Sequence, residues 1–421
     1  MKGETSLNDR GQSSQALILA LAIAAGLLFA VLALPAATGS SATAASEPAI
    51  ETNPVGIWAT GSYTTYFPLV FRDPPTPQVV ANVSLPGAKC PNTVAANPVS
   101  GYAYVANSFS DNVNVLSGTT VLATVGTGIE PTTIASDPYS ERTYVTNLLG
   151  HTLSAFERTS LVDTIPTYIE PFAVTVNPVN GYLYVTHLPG VVRIIQNATT
   201  ATDIEIGGWL LATAANPHTG LTYVANWEYG YVMAINGTQV VATLDVGWGP
   251  RVIVIDPTTE YVYVASSEAA KAPSGHSKSN LTVISGTQVI AAFTTSSGSS
   301  DVAVDPVSGY VYGVNPQSNS VTVLRGTTLV DTLAVGRQPR AVAVNPNTGY
   351  AFVANQGSDT ITVLHHGAIV TTLPTGREPF AVGVDTRNNY VYVANRASEE
   401  VCDKNDICHW ECRSTTVTIL R

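Results

Sequence analysis

Four cysteines stand out in a chain otherwise poor in reactive side chains: Cys90 alone, and Cys402, Cys408 and Cys412 together, with His409 among them. Such a set could hold zinc, which takes four sulfur or nitrogen ligands, or pair as two disulfides. Covalent haem is excluded, because Cys-x-x-Cys-His needs a cysteine where Asn405 stands. A second set is aromatic: Trp209, Trp227, Tyr229 and Trp248. Large rigid rings of this kind stack on sugars or anchor a protein partner at small entropic cost, and they also serve simply to cover packed junctions. The seven histidines are scattered, and no Ser-His-Asp set, metal-spaced His pair or phosphate-cradling Gly run occurs. No catalytic residue, metal or cofactor is therefore assigned.

The compartment bears on the cysteines. Residues 1–15 are polar with Lys2 and Arg10 as their cations, and residues 16–37 (ALILALAIAAGLLFAVLALPAA) are almost unbroken apolar. A run of about 20 apolar residues is long enough to cross a bilayer, while Ala42-Thr43-Ala44 offers a small-x-small cleavage site downstream. Signal peptide and membrane anchor stay open as readings. Both place the remainder outside the cytoplasm, at the cell surface or secreted, with membrane contact through the N-terminal helix if it is uncleaved. There an even number of cysteines favours disulfides over zinc, without fixing which pairs with which. The formal net charge is -11 and no Lys/Arg block appears, which excludes an electrostatic grip on nucleic acid.

The elements that must position these residues repeat. Charged residues are only 12% of the chain, Gly and Pro number 33 and 26, and Val, Thr, Tyr and Ile crowd into short runs, the balance of many short strands joined by turns. Turns open at Asn97, Asp137, Asn177, Asn216, Asp256, Asp305, Asn345 and Asp385, spaced by 40, 40, 39, 40, 49, 40 and 40 residues. The one long interval marks an insertion, Ser266 to Asn280. In Asn97-Pro98-Val99-Ser100-Gly101-Tyr102 the Asn side chain caps the turn, Pro presets φ, and Gly takes the left-handed conformation. A Tyr-rich strand with period-two alternation follows each turn, then a third strand and a fourth. The strand before each turn carries small side chains, as in Ala341-Val342-Ala343-Val344, which suits the crowded axis of a propeller.

The unit (apolar strand, Asn-Pro-x-x-Gly-Tyr, Tyr-Val-Thr/Ala-Asn, Val-x-Val strand, Gly-x-x-Pro) resembles the YVTN-family β-propeller repeat of exported, surface-layer-like proteins. Tyr144-Val145-Thr146-Asn147 reproduces the signature itself. The resemblance covers residues 77–421 and implies an all-β propeller, with residues 38–76 as a Ser/Ala/Pro-rich linker. That family is best known with seven blades, which remains the alternative. Closure argues for eight: the chain ends on a third strand, and Gln78-Val79-Val80-Ala81 matches the fourth strand that begins Gln239-Val240-Val241-Ala242. An eight-bladed β-propeller of four-stranded antiparallel blades is expected, closed by an N-terminal strand that completes the last blade and hides an open edge.

In a propeller the loops from second to third strand and from fourth strand to the next blade share one face. Cys90 and the Cys402–Cys412 loop then meet at the closing seam, one disulfide joining Cys90 to that loop and a second lying within it. Trp209, Trp227, Tyr229 and Trp248 share the same face, as does the insertion. The expected function is a non-catalytic binding or scaffold protein acting through this face, with a protein or cell-wall glycan as partner. Two alternatives stand beside it: an enzyme of the lactone hydrolase or lyase type, which the family resemblance implies would work at the axial channel mouth, and a self-assembling envelope component.

Overall fold

The computed structural model describes residues 74–197, 200–267, 279–295, 298–402, 408–412 and 415–421. The apolar run of residues 16–37, most of the linker and the centre of the insertion lie outside them. Among the described residues no helix is long and apolar enough to cross a membrane.

Eight four-stranded antiparallel sheets form, as the repeat spacing predicts. Seven are built from four consecutive strands, beginning with Pro91–Ala96, Ala103–Asn107, Asn112–Ser117 and Thr120–Gly126 in blade one. The eighth is composite: Pro379–Asp385, Tyr390–Asn395 and Thr416–Leu420 are joined on the outside by Val79–Ser84. Val79 lies opposite Leu420, Val83 opposite Val417 and Ser84 opposite Thr416, and Gln78 exchanges two backbone hydrogen bonds of 3.1 Å with Arg421. The first ordered strand thus closes the ring. A ninth, two-stranded sheet, Ser398–Cys402 with Cys408–Cys412, is a hairpin inserted between the second and third strands of blade eight.

The turn chemistry operates as its residues dictate. Asn97 Oδ1 accepts the Val99 and Ser100 N–H groups at 2.9 and 3.0 Å, while Nδ2 reaches across to the Ser140 and Arg142 carbonyls of blade two, both at 3.0 Å. Gly101 sits at φ +71°, the left-handed region that closes the turn. An Asp in the same place caps its own turn but has no proton to donate to the next blade. Asp137 accordingly bonds only Tyr139 N and Ser140 Oγ nearby. The glycine of Gly-x-x-Pro has a steric cause instead: a Cβ at Gly376 would lie 2.6 Å from Asn395 Nδ2.

Blades are latched by tyrosines. Tyr104, Tyr184, Tyr223, Tyr263, Tyr312 and Tyr392, all on second strands, are fully buried. Tyr104, Tyr184 and Tyr223 donate their hydroxyls to the carbonyls of Arg158, Gly237 and Gly286, each in the outer hairpin of the following blade, at 2.8, 2.8 and 2.9 Å. Tyr312 instead accepts the Gly367 N–H at 3.2 Å. Blade seven has Phe352 here, and its neighbour is the composite blade, in which the outer strands Thr416–Leu420 and Val79–Ser84 pair without a connecting hairpin turn. With no hairpin carbonyl to meet, a buried hydroxyl would stand unpaired, so an apolar ring fits. Tyr223→Phe is expected to cost about 1–2 kcal/mol in chemical denaturation, because the Gly286 carbonyl loses its buried donor. Phe352→Tyr should yield no gain, and equal stability of Tyr223→Phe and the parent would show the latch to be inert.

Candidate functional site: the loop-bearing face

The face is built on the residue that precedes each strand-opening proline. Cys90, Glu130, Glu170, Gln338 and Glu378 all occupy the left-handed region, with φ of +53, +58, +52, +48 and +50°. Such a conformation turns the backbone N–H toward the preceding blade, where a side chain receives it. Asp111 Oδ1 accepts Glu130 N at 2.8 Å, His151 Nδ1 accepts Glu170 N at 3.0 Å, and Asp359 Oδ1 accepts Glu378 N at 2.8 Å. Meanwhile the Cys90, Glu130 and Glu378 carbonyls accept Ser108, Leu148 and Arg396 N–H groups of the blade that follows. The rim is therefore a ring of backbone clamps, and His151 is one of its acceptors. His187 is buried, with Nδ1 at 3.2 Å from the Val191 carbonyl, and burial pushes its pKa down to about 4.

Glu130 is only 4% exposed, and burial, then the neighbouring Asp111 charge, pushes its carboxyl up to about 7. A folded-state pKa above the unfolded value means the native protein holds a proton that the unfolded chain releases. Its contribution is fully present at low pH and is lost as pH rises from about 4.5 toward 7 and beyond. At about 1.4 kcal/mol per unit the loss amounts to at most about 3.5 kcal/mol. Glu130→Gln should remove this decline, seen as a flatter stability profile between pH 5 and 8. An unchanged profile would mean that Glu130 titrates as an ordinary carboxylate.

At the seam, Cys90 forms a disulfide with Cys412, their Cα atoms 5.1 Å apart and 322 residues apart in sequence. It ties the loop leading into blade one to the inserted hairpin of blade eight. Within that hairpin Cys402 stands directly opposite Cys408 in the backbone register. Their side chains lie outside the described residues, as do those of His409 and its neighbours.

The four aromatic residues occupy adjoining loops of blades four and five. Trp209 and Trp227 stack at 5.4 Å with 20° between ring planes, and Trp227 N donates to the Trp209 carbonyl at 2.8 Å. Both are half-buried against the core, and the Trp227 indole N–H is buried with no partner among the described residues. Tyr229 is 39% exposed beside Tyr231. Trp248 covers Gly230, where a Cβ would approach its Cε3 to 3.0 Å. The three tryptophans are half-buried at blade junctions, and Tyr229 beside them is exposed.

One cluster escaped the sequence reading. Arg340, which follows Pro339 in blade seven, and Arg396, just past the second strand of blade eight, place their guanidinium carbons 4.3 and 4.7 Å from the Phe380 ring centroid. Burial foremost, then Arg251 of blade five and Arg396, pulls the Arg340 pKa down to about 9. Asp301 of blade six lies among them, its two oxygens accepting Val302 and Val342 N–H groups at 2.8 and 2.9 Å. Burial holds its carboxyl up at about 8 against the pull of those donors and of Arg340 and Arg251. A signal existed in the sequence: the residue after the strand-opening proline is Asn92, Thr132, Phe172, Arg251, Arg340 or Phe380, variable at an otherwise regular place. Among the described residues no three His, Cys, Asp or Glu side chains gather to hold a metal ion.

Comparison with known proteins supports the architecture. The family model described as "Lactonase, 7-bladed beta-propeller" matches residues 231–383, from the third strand of blade four to the first strand of blade eight. Curated proteins give no match. Among solved structures, the chain is similar to Kuenenia stuttgartiensis hydrazine synthase at 17% identity and a TM-score of 0.52, over 72% of this chain and 99% of that one. At that identity the likeness is one of fold. The chain is a β-propeller, and its eight blades exceed by one the number in the family description it partly matches.

Proposed function

We propose that the protein is an exported binding propeller that engages a cell-surface partner through its loop-bearing face. The observation that carries this reading is the convergence there of Trp209, Trp227, Tyr229 and Trp248 in adjoining loops, with Trp209 and Trp227 stacked. Rigid aromatic area on a rigid scaffold is the usual substance of a recognition surface. The path by which the chain reaches the propeller supports it: the Tyr350 hydroxyl donates to the Pro74 carbonyl at 2.9 Å, beside the Asn345–Tyr350 turn on the opposite face. A tether leading from residue 74 back to a membrane would leave the aromatic face directed outward. Purified protein should bind isolated cell-wall glycans or surface proteins, and the joint replacement Trp227→Ala with Trp248→Ala should abolish that binding in protein that is less stable yet keeps the parent's far-UV circular dichroism. Undiminished binding by this variant would remove the reading.

The second reading is catalytic and rests on the lactonase family match over residues 231–383. Its test is direct, since acid release from a sugar lactone by the purified protein, above the rate of spontaneous hydrolysis, would favour an enzyme working at the channel mouth.

A further inference from the structure

We propose that residues 66–71 of the tether dock on a row of aromatic rings on the face opposite the loops, formed by Tyr350, His365 and His366 of blade seven and Tyr310 of blade six. The docking fixes how the tether leaves the ring and does not depend on what the loop-bearing face binds.

The row is continuous. Ring centroids are 4.6 Å apart between Tyr350 and His365, 3.9 Å between His365 and His366, and 6.2 Å between His366 and Tyr310. Tyr350 is buried, His365 and Tyr310 are half-buried, and His366 is exposed. Val307, three residues before Tyr310 in the blade-six turn, is 75% exposed. An apolar and aromatic strip thus lies open beside the point where the tether arrives. The two histidines are a departure from the repeat. They occupy the turn between third and fourth strands, where blades one and five carry Ser117-Gly118 and Ser285-Gly286. Gly118 and Gly286 take φ of +54 and +55°, and His366 adopts the same left-handed conformation at +47°. A side chain is unfavourable there, so its presence calls for a compensating contact. Arg158 of blade two, at φ +53°, has one in Glu141, at 2.6 and 2.8 Å. His366 meets rings instead.

The occupant follows from where the described chain begins. Strand Val79–Ser84 belongs to blade eight, yet five residues before Val79 the Pro74 carbonyl accepts the Tyr350 hydroxyl of blade seven at 2.9 Å. Traced backward, the chain has crossed from blade eight to the first ring of the row. Close beyond, and outside the described residues, stand Tyr66-Phe67-Pro68-Leu69-Val70-Phe71, six residues without a charge. Phe71 is three residues from Pro74 and Tyr66 is eight, so an extended chain places them up to about 10 and about 28 Å away, a reach that covers the row. Held this close, the segment is present at an effective concentration on the order of 1 mM. A site with a Kd of about 0.1 mM would then be about nine-tenths filled, so a few aromatic contacts suffice.

Hydrogen exchange of the full-length protein, read by mass spectrometry, tests this. Amides of residues 66–71 should exchange about tenfold more slowly than in a free peptide of the same sequence, the factor that such occupancy implies. Replacing His365→Ser with His366→Gly, the pair that blades one and five carry, should return them to the peptide rate. Phe67→Ser, Leu69→Ser and Phe71→Ser together leave every residue of the propeller in place. In that variant diethyl pyrocarbonate should modify His366 severalfold faster than in the parent, because a docked segment no longer shields it. Peptide-rate exchange in the parent would overturn the inference. So would protection that survives the histidine replacement, which would put the segment elsewhere, or equal modification of His366 in the parent and the serine variant. Should the histidine variant lose the protection of the propeller strands themselves, parent exchange and the modification rates decide between them.

Discussion

Replacing Cys90 and Cys412 together by serine is expected to lower stability by about 2–5 kcal/mol. The disulfide closes a loop of 322 residues, and in the chain-entropy account longer loops restrict the unfolded ensemble more. For so long a loop that account alone reaches about 6 kcal/mol, and strain or residual structure in the unfolded chain lowers the observed value. Location adds to the effect. The bond ties the loop leading into blade one to the inserted hairpin of blade eight, the blade in which Val79–Ser84 and Thr416–Leu420 are held together by strand pairing and not by a connecting turn. Denaturant titration of the parent with and without reductant, beside the serine variant, measures the contribution. Coincident curves for all three would mean that strand pairing alone holds the seam.

Removal of residues 1–84 should be as costly and should change the association state. The strand Val79–Ser84 packs Val79, Ala81 and Val83 against the core of blades seven, eight and one, and its loss also strips the outer hydrogen bonds from Thr416–Leu420. Three half-buried side chains at roughly half of their full transfer value, together with several backbone hydrogen bonds at about 1 kcal/mol each, put the cost on the order of 5 kcal/mol. The bared strand Thr416–Leu420 would then offer an apolar edge to another chain. Light scattering after size-exclusion chromatography should show oligomers or aggregate where the parent has a single species, with a lower melting temperature. A truncated protein that runs and melts like the parent would show that this strand is dispensable to closure.

These two regions were legible to different degrees, and the reason is the range of the interactions involved. Blade number, strand order and turn type are local matters: Asn97, Pro98 and Gly101 act on one another within six residues, and variants of that turn, each opening on Asn or Asp, recur at near-constant spacing. The closing strand could be read because Gln78-Val79-Val80-Ala81 copies the fourth-strand pattern of Gln239-Val240-Val241-Ala242, so a repeat rule extended across the chain ends. That Cys90 would meet the blade-eight loop followed from the same rule. Which cysteine it meets did not, because three candidates lie in one loop and only the inserted hairpin, setting Cys402 opposite Cys408, leaves Cys412 at its base.

By itself, then, the sequence determined a ring of eight antiparallel sheets, its composite last blade and the face on which its irregular residues gather. Tertiary structure alone decided what depends on distances between blades. Arg340 and Arg396 lie 56 positions apart along the chain and meet over the Phe380 ring only when blades seven and eight pack, and Phe352 is intelligible only beside a blade that lacks its outer hairpin. Repetition reports on contacts made within a repeat and with the next one. A contact among several blades leaves its trace only as a departure from the repeat, and folding must supply the geometry that gives the departure its meaning.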